Sequence, residues 1–169
     1  MDDAEYCIVA YGIQSILSSA VKVLVIFLTG AISGYYKEAV VSLSVFGEIR
    51  RYAGGYHCKT NIGCLGAMLF ICFFPIMMFD VNTEIAKWVW LSILIYSTYE
   101  IVRYAPRNSV VNPISDFVIL KKKRIRSLIS LGIAAIILIL CGDGNIKWLV
   151  SLPLFCEAVT ISPILSKKR

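Results

Sequence analysis

Five long apolar runs divide this chain, at about residues 8–32, 62–79, 85–102, 127–141 and 147–165, and most come near the roughly 20 residues a helix needs to cross hydrocarbon. No other feature of the sequence restricts the fold as much. Composition agrees: 58% of the 169 residues are apolar and 17% are charged, against roughly 45–50% and about 25% in soluble domains. With a mean hydropathy of +0.75, the chain has more apolar surface than a core of this size buries, so much of it is expected to face lipid. The expected fold class is all-α, a polytopic membrane bundle of about six hydrophobic helices forming one membrane-embedded domain over residues 1–169. The run from Tyr35 to Ile49 is shorter and carries Lys37 and Glu38. A short sixth span, a re-entrant piece and an interfacial helix all stay open for it.

A formal charge of +6 in a soluble protein would point to nucleic acid. Here the basic residues punctuate apolar runs, which is the pattern of topology-setting loops, so nucleic acid is disfavoured and the lipid bilayer is the expected partner. Arg103, Arg107, Lys121, Lys122, Lys123, Arg124 and Arg126 crowd one interval, which is therefore placed in the cytoplasm. Alternating outward from it puts residues 80–86 and 142–146 outside, and residues 50–61 and the Lys167-Lys168-Arg169 tail inside. Thirteen of the 17 basic residues then lie inside. Trp88, Trp90 and Trp148 stand at the starts of spans that begin outside, as an aromatic belt does. The opening Met1-Asp2-Asp3-Ala4-Glu5 is acidic where a secretory leader is basic, so no cleaved leader is expected. Cys7, Cys58, Cys64, Cys72, Cys141 and Cys156 lack the spacing of a disulfide scaffold and are expected to be free thiols.

The densest polar stretch near a membrane boundary runs from Arg50 to Cys64 and contains the only histidine, His57. Nucleophilic cysteine chemistry needs a thiolate, an imidazole to take and return its proton, and surroundings that favour the ionised thiol. In one unbroken helix His57 and Cys64 would stand about 10.5 Å apart, so a bend is required. Gly54, Gly55 and Gly63 permit it, and Thr60 or Asn61 is a fit N-cap for the helix that follows. With Asn61 as cap, Cys64 takes the third helical position, where the helix dipole and Arg50, Arg51 or Lys59 favour the thiolate. Cys58 is the rival nucleophile, although as the neighbour of His57 its side chain tends to point away from the imidazole. His57, Cys58 and Cys64 lack a paired C-x-x-C and a fourth ligand, so neither a metal nor another cofactor is expected.

Arg50, the Gly54-Gly55-Tyr56-His57 run, and Cys64 seven residues on at the head of an apolar segment resemble the accessory gene regulator protein B (AgrB) family of membrane cysteine endopeptidases. Tyr104-Ala105-Pro106 followed by Asn112-Pro113-Ile114 resembles that family's second recognisable stretch. The resemblance implies a multi-pass protein of a Gram-positive bacterial cell membrane, its active site facing the cytoplasm. It further implies cleavage of the C-terminal tail from a small AgrD-like precursor peptide and closure of the remainder into a thiolactone or lactone quorum-sensing signal. The family's catalytic pair carries over to His57 and Cys64; Arg50 and Gly55 fall on its motif, and Gln14 on an expected glutamine. A second copy of the chain, in a homodimer, is a further candidate partner.

Several polar residues are left without an assigned role. Tyr11, Gln14, Ser15, Ser18 and Lys22 follow a helical period and form a stripe expected to face the bundle interior or a wet cavity. Glu100 and Glu157 are intramembrane acids, with Lys22 and Arg103 as candidate partners. Glu48, Asn61 and Gln14 are the candidates for a third group orienting His57. The Lys121–Arg124 run reads most simply as an anchor against anionic lipid, with docking of an acidic peptide as the other reading. Two functions remain: a peptidase that also cyclises its product, and a non-enzymatic membrane protein, such as a small peptide exporter or an assembly subunit, in which His57 and Cys64 merely pack.

Overall fold

The computed structural model describes residues 3–56, 58, 60–81, 84–107 and 116–163. Among them the chain forms six α-helices and no strand: α1 (Asp3–Ser33), α2 (Tyr36–Ala53), α3 (Asn61–Phe73), α4 (Glu84–Tyr104), α5 (Phe117–Leu140) and α6 (Gly144–Ile161), with a 3₁₀ segment (Phe74–Met78) continuing α3. Side-chain oxygens mark three helix starts. Asp116 accepts from the Val118 N–H and Asp143 from the Asn145 N–H, both at 2.8 Å, and Thr60 accepts from the Gly63 N–H at 3.1 Å. Among the described residues two stretches, Gly12–Ser33 and Asn61–Met78, are long and apolar enough to cross a bilayer. Charges interrupt the others, with Lys87, Glu100 and Arg103 in α4, Lys121 to Arg126 in α5, and Lys147 and Glu157 in α6.

The core sits around α6, which is buried on almost every side, and its most extensive partners are α4 and α2. The Ser42 hydroxyl donates to the Leu149 carbonyl at 3.4 Å, and Arg50 pairs with Glu157 two turns farther along both helices. A constant register of this kind means that α2 and α6 run in the same direction. Trp90 against Trp148 and Tyr96 against Phe155, with ring centroids 5.4 and 5.6 Å apart, show the same for α4 and α6. Helices α2, α4 and α6 therefore run parallel to one another. Ile49, Ala53, Ile101, Leu131, Leu154 and Ile161 fill the centre of the main core.

Two expectations change, one open alternative is narrowed and one is met in part. The Tyr35–Ile49 run belongs to one continuous helix, α2, about 27 Å long. It lies alongside α6 and buries Ala39, Ser42, Phe46, Ile49 and Ala53 at helical spacing, so it is neither broken nor laid across the bundle end. The basic run is helical, because α5 starts at Phe117 on the Asp116 cap and Lys and Arg are good helix formers. Arg124 donates to the Val102 carbonyl at the end of α4 (3.2 Å), and Arg126 lies over the Tyr52 ring at 5.5 Å. Trp90 and Trp148 do not form a belt: they pack edge to face in the core, where the Trp148 Nε1–H donates to the Val81 carbonyl at 3.1 Å, and only Trp88 is exposed. The α1 stripe meets its expectation in part: Ser18 bonds across to Asn61 on α3, while α1 itself is peripheral. Gln14 and Ser15 are exposed, Ser18 and Lys22 are half-buried, and the Tyr11 side chain lies outside the described residues.

Candidate active site

The site is built where α2 ends. Gly54, at φ 74° and ψ −153°, leaves the helix in a conformation that side chains disfavour, and Gly55 follows at φ 134°. The turn brings the chain across the C-terminal end of α6. There the Tyr56 N–H donates to the Thr160 carbonyl at 3.0 Å. Arg50, on the last turn of α2, donates from Nη1 to Glu157 Oε2 at 3.3 Å and to Thr160 Oγ1 at 2.7 Å, and from Nη2 to the Tyr56 carbonyl. The Glu157 side chain is fully buried and that of Arg50 is 17% exposed. A pair this shielded keeps much of its Coulomb energy, and needs it to offset desolvation.

The second stretch singled out in the sequence arrives at the same place. Gly54 bridges Arg107, whose N–H donates to the Ala53 carbonyl at 2.8 Å. Arg107 Nη1 donates to the Ser162 carbonyl at 2.7 Å and to the Ile161 carbonyl. A helix C-terminus carries unsatisfied carbonyls and partial negative charge, so a guanidinium there is well placed. Arg50 and Arg107 thus fasten two distant parts of the chain to one helix end.

Cys64 lies in the first turn of α3. Thr60, not Asn61, is the cap, which moves Cys64 to the fourth helical position, its N–H donating to the Thr60 carbonyl at 3.1 Å. Asn61 accepts from the Ser18 hydroxyl at 3.2 Å and so ties α3 to α1. Asn61 and Cys64, three residues apart, share a face. Gln14 lies one turn before Ser18 on α1, exposed. Cys64 is half-buried and Cys58 exposed, and both are free thiols together with Cys72, Cys141 and Cys156. His57, Lys59 and Asn112-Pro113-Ile114 lie outside the described residues.

The structure therefore brings Arg50 and Gly55 together at α6 and sets Asn61 and Cys64 on the α1-facing start of α3. Arg50 is engaged with Glu157 instead of standing free as a charge for the thiol. Glu157 takes Arg50 as its partner, not Lys22 or Arg103. Arg103 lies over the rings of Tyr99 and Tyr104, each at 5.7 Å. Glu100 is buried on α4, one turn from Tyr96. Thr160 and Arg107 were not singled out as site residues, because neither stands out until α6 is folded against the Gly54–Tyr56 turn. Among the described residues no group of three or more His, Cys, Asp or Glu is suited to a metal ion.

Gly55 gives a sharp test of this geometry. A Cβ there would lie 2.7 Å from Thr160 Oγ1 and against the Arg50 guanidinium, on a backbone that side chains rarely adopt. Gly55→Ala is expected to cost about 1–3 kcal/mol from backbone strain alone, read as a lowered thermal unfolding midpoint in detergent. An unchanged midpoint contradicts the described packing.

Among the described residues, two stretches long and apolar enough to cross a bilayer, beside a core in which α2 and α6 share a buried ion pair, point to a helical membrane protein. The chain belongs to the accessory gene regulator B family, whose family model matches residues 1–161. A putative AgrB-like protein of Clostridium acetobutylicum is 24% identical to it, over 99% of this chain and 79% of the relative. Accessory gene regulator protein B of Staphylococcus haemolyticus is 27% identical over 97% of this chain and 86% of its own length, and that of Staphylococcus aureus 25% identical over 97% and 85%. No solved structure matches the chain.

Proposed function

We propose that this protein is a multi-pass membrane cysteine endopeptidase of a quorum-sensing system, which removes the C-terminal tail of a small AgrD-like precursor and cyclises the remainder. The observation that carries the proposal is the convergence of Arg50 and Arg107 on the end of α6, since it joins the two stretches whose residues resemble the family. In this reading His57 takes the Cys64 proton as the sulfur attacks the scissile carbonyl. The carbonyl–nitrogen bond breaks, His57 returns the proton to the departing amine, and the peptide remains as a thioester on Cys64. A thiol or hydroxyl within the bound peptide then attacks the thioester, closing the ring and restoring the Cys64 thiol. An internal nucleophile has an effective concentration that reaches about 10⁵ M when well oriented, so ring closure outruns hydrolysis.

Co-expression with candidate small precursors, followed by mass spectrometry of the peptides, tests the proposal. A shortened product that depends on Cys64 supports it. A precursor exported uncut with Cys64 replaced or intact favours the exporter reading.

The charge-derived orientation belongs to the same proposal: residues 50–61 face the cytoplasm and Asp143 faces outside. A cysteine placed at 143 is expected to react with an impermeant thiol reagent on whole cells, while one placed at 59 is spared. The reverse pattern removes the cytoplasmic active site.

A further inference from the structure

We infer that Glu157 and Thr160, near the C-terminal end of α6, are positioning residues for the active-site segment, acting through Arg50 on the backbone of Tyr56. The inference rests on the proposed Cys64–His57 chemistry. Tyr56 is held on both sides: its N–H donates to the Thr160 carbonyl at 3.0 Å, and its carbonyl accepts from Arg50 Nη2. That carbonyl belongs to the planar peptide unit leading into His57, so fixing it restricts how the chain enters the proposed catalytic base.

The clamp has a division of labour. Glu157, fully buried, holds the Arg50 charge at this depth. Thr160 sets its rotation: Oγ1 accepts from Arg50 Nη1 at 2.7 Å, and its own proton has the Glu157 carbonyl (2.9 Å) or Oε2 (3.1 Å) as acceptor. A guanidinium is a rigid planar fork, so fixing Nη1 also aims Nη2, the atom that reaches Tyr56. Gly55 leaves the space in which Arg50 and Thr160 meet. An ion pair serving stability alone has no need of the Tyr56 carbonyl.

The test uses the full-length protein in lipid vesicles and iodoacetamide as probe, with the alkylation rate of Cys64 at pH 7 followed by peptide mass mapping. Glu157→Gln is the direct variant, but it disturbs a buried pair and stands to lose the fold. Thr160→Val removes one oxygen at constant shape and keeps the test open. The reference is His57→Ala, expected to slow Cys64 by about tenfold through loss of the proton acceptor. Thr160→Val is expected to slow it about threefold, the population shift that one hydrogen bond supports. Thr160→Ser, which keeps the oxygen, restores the wild-type rate, and exposed Cys58 reacts equally in all variants. The sign separates positioning from general loosening, because loosening exposes a half-buried thiol and speeds its alkylation. If His57→Ala slows Cys64 and Thr160→Val does not, or speeds it, this inference is overturned and the catalytic pairing stands. If His57→Ala has no effect, the pairing fails and takes this inference with it.

Discussion

Cys64→Ser, assayed as purified protein in lipid with a precursor that the wild type cleaves, is expected to lower tail release by about 10⁴-fold or more, the scale set by removal of catalytic nucleophiles. The substitution changes one atom. The half-buried position in the first turn of α3 tolerates it, and the Thr60 cap and the Asn61–Ser18 contact involve no sulfur. A packing role therefore predicts a near-normal rate, whereas a nucleophilic role predicts collapse, since a serine hydroxyl is far harder to ionise than a thiol. Cys58→Ser is the control. Cys58 is exposed and beside Gly63, and its replacement should leave the rate within a few-fold. Loss of cleavage in Cys58→Ser with survival in Cys64→Ser would transfer the nucleophile to Cys58.

Arg50→Met is expected to be the most destabilising single substitution in the site. It preserves much of the apolar stem but leaves the Glu157 carboxylate buried without its cation, and breaking a buried pair from one side typically costs about 3–5 kcal/mol. It also removes the Arg50 hydrogen bonds to the Tyr56 carbonyl and to Thr160 Oγ1. The double variant Arg50→Met with Glu157→Gln removes both charges, and much of the stability should return. Cleavage should not return, because the guanidinium that donates to the Tyr56 carbonyl is gone. Thermal unfolding in detergent and initial cleavage rates, taken over the four members of the cycle, separate the two effects. If activity recovers together with stability, Arg50 serves the fold alone.

The apolar runs made the helices legible: each expected span has a helix in the structure. Their ends were less legible where a polar run is also a good helix former. Lys121 to Arg126 reads as a loop by charge, yet Asp116 caps a helix that carries those residues into its first turns. The tryptophans mislead for a related reason. Position near a span end does not tell a belt residue from a core residue, and Trp90 and Trp148 find each other across α4 and α6. The local parts of the site, namely the bend at Gly54-Gly55 and a cap at Thr60 or Asn61, follow from residue chemistry and were readable. The Arg50–Glu157 pair was not, because an acid 107 residues away along the chain acquires its partner only through the parallel register of α2 and α6. Arg107 was counted as a topology charge, but its side chain closes the end of α6.

The central claim is that Cys64 carries the peptide as a thioester and passes it to a nucleophile inside the same peptide. The most direct measurement is the mass of the main product that purified protein in lipid makes from its precursor, with the intact mass of the protein recorded alongside. The account predicts a shortened peptide one water lighter than the linear acid. When the precursor's internal nucleophile is replaced by Ala, it predicts linear acid or a peptide adduct that maps to Cys64. A product that is only linear from the unaltered precursor, with no adduct on Cys64 under any condition, would contradict it.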